Sequence, residues 1–139
     1  MREEILRVIE EHFKAIRVFN DAPYDLGKNC FEWRDKPLNE DEFPALFWND
    51  ASNAYDSNSG HTLSFEAVVV LKDTISADVA KDTRVAMQSV AHAFRDAILE
   101  LGFYGKMTKS EMIGEDKDYR YIAGRLSFEI KYTDDEWSV

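Results

Sequence analysis

The sequence predicts one α+β domain: a mostly antiparallel sheet of four to five strands with two helices packed on one face, in the order α-β-β-β-α-β-β. Three observations carry that expectation. An amphipathic helical repeat opens the chain and a longer one spans residues 79–101. Two segments, Thr62–Lys72 and Tyr119–Tyr132, alternate with the period of two that a pleated strand imposes. A fold of 139 residues hides roughly 68–70% of the surface its unfolded chain exposes, enough for one core and not two. Residues 1–139 are therefore read as one domain, and a two-domain enzyme is excluded.

The elements follow in order. Ile5, Ile9, His12 and Ile16 recur at helical steps, with Leu6 and Phe13 beside them and charged residues on the other face. Pro23 and its polar neighbours should stop this helix near Phe19. Cys30–Arg34 and Phe43–Trp48 are aromatic-rich runs separated by turn formers and acids, and both are expected as short strands. Asn49–Gly60 is dense in Asn, Asp, Ser and Gly and is expected to be a long exposed loop.

In Thr62–Lys72, Leu63, Phe65, Ala67, Val69 and Leu71 share the core face, while Thr62, Ser64, Glu66 and Lys72 share the other. Val68 and Val70 interrupt that polar side, so its middle should be covered by another part of the chain or by another subunit. Asp73–Ser76 has the composition of a helix N-cap; Val79, Val85 or Ala86, Val90, Phe94, Ala97, Ile98 and Leu101 trace a helical stripe that stops at Gly102. Met107–Ile113 is expected as a strand, Gly114–Asp118 as a turn and Tyr119–Tyr132 as the last strand. In that strand Ile122, Gly124, Leu126, Phe128, Ile130 and Tyr132 face the core, with Tyr121, Arg125, Ser127, Glu129 and Lys131 opposite.

Charge and cysteine usage narrow the function classes. The formal charge is −10, with 17 Lys and Arg against 27 Asp and Glu and no basic stripe. Affinity for nucleic acid comes largely from cations replacing phosphate counterions, so a nucleic-acid binder is disfavoured. A single cysteine, Cys30, makes neither an intrachain disulfide nor a multi-cysteine zinc site, and the cytoplasm is the expected compartment. The opening residues lack a signal peptide's apolar run, and no stretch approaches the ~20 apolar residues that span a bilayer.

No motif for chemistry stands out. His12, His61 and His92 do not have the spacing that sets two ligands on one metal, and no metal or cofactor is expected. His12 lies on an apolar stripe, and Cys30 between aromatic residues reads as a small hydrophobe. His61, close to Ser59 and Ser64, has the residue types of a general base beside a nucleophile, yet no GxSxG elbow accompanies it.

The opening helix MREEILRVI, the strand FPALFW at 43–48, the loop ending SGHTL at 59–63, the strand FEAVVV at 65–70, the long helix Val79–Leu101 and the closing strand AGRLSFEIKY at 123–132 come in a telling order. Together they resemble the tail terminator family of long-tailed phages and prophages, also called minor tail or tail completion proteins. The resemblance covers nearly the whole chain and rests on architecture; the segment Asn20–Asp41 is longer and more polar than the family pattern.

The resemblance implies a non-enzymatic assembly protein that forms a ring of about six subunits on the end of a tail tube, stops its polymerisation and offers a surface for head joining. Its partners would be further copies of itself, the tail tube protein and a head–tail connector protein, with DNA passing through unbound. It would act in the virion tail after assembly in the host bacterial cytoplasm. Val68 and Val70, with Glu66 and Arg125, are then the expected subunit interface. Glu40, Asp41, Glu42, Glu115, Asp116 and Asp118 are the expected channel or rim acids. Two other readings stay open: another head–tail connector or bacterial α+β adaptor module, and a small hydrolase built on His61, which requires a concave pocket holding His61 with Ser59, Ser64 or an acid in hydrogen-bond reach.

Overall fold

A computed structural model describes residues 1–18, 25–34, 36–56, 58–72, 78–116 and 120–139. Its elements are α1 (Arg2–Lys14), β1 (Cys30–Glu32), β2 (Ala45–Tyr55), β3 (Gly60–Lys72), α2 (Val79–Leu101), β4 (Tyr104–Asp116) and β5 (Arg120–Thr133), with short 3₁₀ turns at Leu26–Lys28 and Glu40–Glu42. The α+β class and the order α-β-β-β-α-β-β are as the sequence predicts. The five strands form one sheet in the order β1-β2-β3-β5-β4. Every neighbouring pair is antiparallel except β1 and β2, which run parallel.

The core lies between the two helices and one face of the sheet. Leu63, Phe65, Ala67, Val69 and Leu71 of β3 and Leu126, Phe128 and Ile130 of β5 are buried, as their parity requires. They meet Ile5, Ile9 and Phe13 of α1 and Ala86, Val90, Phe94, Ala97 and Ile98 of α2. Each large side chain so buried stabilises the fold by roughly 1.5–3 kcal/mol. Phe65 sits at the centre, its ring 5.5 Å from Trp48, 5.9 Å from Phe94 and 6.0 Å from Phe13. Gly124 of β5 lets α2 approach the sheet closely, because a Cβ there would collide with the Met87 side chain. Of the two candidates for one stripe position, Ala86 is buried and Val85 is exposed.

Helix ends show where local and long-range forces compete. α2 is capped by the Asp78 carboxylate, which accepts from the Lys81 N–H at 3.1 Å, and it ends at Gly102 in the left-handed conformation, φ 73°. The expected cap stretch Asp73–Ser76 lies outside the described residues, as does Phe19. α1 stops at Lys14, short of Phe19, because the chain leaves the helix to receive bonds from a later segment: Gly27 N–H to Ile16 O at 3.2 Å and Leu26 N–H to Val18 O at 3.2 Å.

The main correction concerns Asn49–Gly60. This stretch is not a long loop: β2 continues to Tyr55 and pairs with β3 down to Tyr55↔His61, interrupted by a bulge between Asp50 and Ser52. Its polar residues find partners far along the chain. Asp50 accepts from Arg2 Nε at 2.7 Å and from the Trp33 indole at 2.9 Å, and Asn53 donates to the Tyr132 hydroxyl at 3.1 Å. Only the tip is a turn, where the Asp56 carboxylate accepts from the N–H groups of Asn58 and Gly60 and is held below its ordinary pKa by them. The weak strand expected at Met107–Ile113 is longer, Tyr104–Asp116, since β5 offers it a full-length partner.

Candidate functional site

The helices cover one face of the sheet, and the register defines what the other face carries. Phe47, Val68, Arg125 and Glu111 lie directly across from one another on β2, β3, β5 and β4; the next row holds Ala45, Val70, Ala123 and Ile113. On the third strand pair Phe31 lies opposite Phe47, their rings 5.9 Å apart. Val68 and Val70 are half-buried, as are Phe31 and Phe47, so the strip is partly accessible across three strands. The four residues expected at an interface, Glu66, Val68, Val70 and Arg125, do share this face.

Charged groups flank the strip. Arg125 reaches Glu111 at 3.2 Å, Lys109 reaches Glu111 at 3.4 Å and Lys106 reaches Glu129 at 3.7 Å. Arg34 lies over the Phe31 ring at 4.4 Å and pairs with Glu42. One end of the face is closed: Phe43 packs 5.5 Å from Tyr121, and the buried Lys72 ammonium sits over both rings at 4.5 and 5.5 Å.

That closure joins the two acidic segments. Phe43 follows the turn Glu40–Glu42, and Tyr121 is the register partner of Glu115, so residues 40–42 and 115–116 come to the same end of the sheet. Asp41 is exposed. Glu42 is less free than its sequence suggests, because the Arg34 guanidinium and the Asn39 N–H hold its carboxyl down to about 2. Asp118 lies outside the described residues.

Phe31, Phe47 and Ala123 also lie on this face, a placement that local sequence does not assign. A signal was present: β2 and β3 are apolar at both parities, Leu46 and Trp48 beside Ala45 and Phe47 on one strand, and Val69 beside Val68 and Val70 on the other. A strand apolar on both sides needs two coverings.

The other sequence candidates are structural. His61 is buried, with Tyr132 stacked at 4.9 Å and Tyr55 edge-on at 4.8 Å. Its Nε2 lies 3.0 Å from the Asp135 carbonyl and its Nδ1 3.1 Å from the Asn53 amide nitrogen, so Nε2–H donates and Nδ1 accepts. Ser64 points to the opposite face by parity, and among the described residues no hydroxyl or carboxylate bonds the imidazole. Burial pushes the Cys30 thiol up to about 12, which keeps it a neutral, poorly nucleophilic group. His12 approaches Glu100 at 3.7 Å on the surface between the helices, and His92 is exposed beside Gln88. Among the described residues no group of His, Cys, Asp and Glu could hold a metal, and no helix is long and apolar enough to cross a membrane.

Neither a protein-family model nor a curated protein sequence matches this chain.

Proposed function

We infer that this chain is a structural subunit of a phage or prophage tail, one that assembles into a ring at the end of the tail tube, stops tube growth and presents the surface for head joining. The observation that carries the reading is the open face of the sheet. A domain with its helices on one side leaves Phe31, Phe47, Val68 and Val70 half-covered on the other, which a neighbouring subunit would bury. Salt-bridged Arg125 and Glu111 beside Val68 supply the polar rim of such a contact. The convergence of residues 40–42 and 115–116 at one end of the sheet gives each subunit an acidic end, and a ring would gather these into an acidic mouth or wall past which DNA slides without sticking.

The test is to mix purified protein with tail tubes and image them by negative stain. Rings of about six copies capping one tube end, absent when Val68 is replaced by Lys in a folded variant, are the expected result. Bare tube ends at saturating protein overturn the reading.

A further inference from the structure

We propose that the groove between α2 and β4 receives the acidic, tryptophan-bearing segment Asp134–Val139 of a second copy of this chain. The inference rests on the ring reading for closure into a ring, and stands apart from it for the pairwise contact.

The groove exists because α2 lies over β3 and β5 and leaves the outer strand partly bare. On the helix-facing side, Phe65 and Phe128 are at most 2% exposed, whereas Met107 of β4 is 51% exposed. Leu99 on the facing side of α2 is 71% exposed and Tyr104 at the start of β4 is 61% exposed. Between them lies a groove of about 550 Å³ floored by Phe94, Ile98 and Phe128. That volume is within the roughly 300–1,000 Å³ of pockets that bury a small-molecule-sized group. The floor runs on past Met107 toward Met87 and Leu126.

The polarity of the rim selects the occupant. Arg95 and His92 line the first part and Arg84 the second, with no acid lining either, in a chain whose formal charge is −10. Arg95 has a surface partner, Asp96 at 3.2 Å, which costs little to exchange. The complement is a segment with acids beside a large apolar side chain. Asp134–Val139 has that composition: three successive acids precede Trp137, which is 87% exposed, and Val139, which is 85% exposed.

Geometry makes the contact intermolecular. Asp134 N–H donates to Ser59 O at 3.1 Å and His61 holds the Asp135 carbonyl, so the segment turns toward the β2–β3 turn and lies beside Tyr55 and Asp56. β4 flanks β5 on the side away from that turn, with Tyr104 paired to Lys131, so the segment as it is held leaves its own groove open to a neighbouring copy. A donor segment on one flank and an acceptor groove on the other make a head-to-tail contact, the kind that generates rings when its rotation closes.

The probe is a fluorescein-labelled peptide of residues 133–139, titrated by anisotropy into the full chain carrying Trp137→Ala, so that its own segment does not compete. Saturable binding is expected, weakened about tenfold or more by Arg95→Glu with Arg84→Glu, and weakened by salt. No binding up to ~1 mM peptide, or binding indifferent to the charge reversals, overturns the proposal. Ring capping of tubes separates the two readings. Intact rings from the Trp137→Ala chain overturn the groove contact as the joint of the ring and leave the ring standing; specific peptide binding by a chain that never caps tubes supports the pairwise contact and removes the ring.

Discussion

The rings of Phe94 and Phe128 stack 3.9 Å apart at 15°, the closest aromatic contact between α2 and the sheet. Phe128 also approaches Phe65 at 6.3 Å, so its removal leaves a cavity shared by the helix and the central strand. Phe128→Ala should cost about 3–5 kcal/mol in urea unfolding. A loss below about half a kcal/mol would place the core elsewhere.

Asn53 is the link between His61 and Tyr132, donating to both at 3.1 Å. Asn53→Ala removes that donor from a buried imidazole and should cost about 1–3 kcal/mol. It should also loosen residues 134–136, which His61 holds, a change seen as faster amide exchange there. Unchanged exchange and stability would mean that the cluster does not anchor this segment.

Acid should act on the Arg34–Glu42 pair. The Glu42 carboxyl is depressed to about 2 in the folded chain against 4.5 ordinarily. A depressed carboxyl contributes stability that is present above 4.5 and is lost as pH falls from there toward 2. An NMR titration should find the Glu42 midpoint near 2, moving up toward 4.5 in Arg34→Ala. A midpoint indifferent to Arg34 would show that the pair does not form in solution.

Cys30 should resist thiol reagents. Its thiol is pushed up to about 12 by burial, so at pH 8 the folded chain should label far more slowly than the urea-unfolded chain. Because the unfolded thiol ionises at 9.0, the same burial should lower stability as pH rises from 9 toward 12. Equal labelling rates in the two states would mean that the β1 edge opens readily.

Replacing Asp41, Glu115 and Asp116 with Lys tests the acidic end. If these acids face the channel, rings should still cap tubes while DNA leaves mature particles more slowly, since cationic walls bind phosphate. Unchanged release would assign the same acids to solubility alone.

Much of this fold was legible because two strands and one helix keep their core-facing residues in period along their whole length. The core-facing residues of β3 and β5 recur at every second position, and α2 carries its stripe from Val79 to a glycine stop. Asn49–Tyr55 was not legible. Asp50 is satisfied by Arg2 and Trp33, Asn53 by His61 and Tyr132, and the bulge after Asp50 shifts the alternation by one residue. Local composition therefore pointed to a turn while long-range partners made a strand. The open face was half legible: Val68 and Val70 announced it, but Phe31 and Phe47 joined it only once the parallel pairing of β1 with β2 was fixed.

The pairing of Gly60 with Thr133 has a consequence for how the chain is made. β3 is the middle strand of the sheet, yet the partner for one of its edges is synthesised last, after α2 and β4. A nascent chain paused at Leu101 would hold a β2–β3 hairpin with one bare edge and valines on both sides, the kind of template on which neighbouring chains aggregate. Completion of β5 is then the step that protects the newborn protein, and slow translation between Gly102 and Thr133 should raise its demand for chaperones.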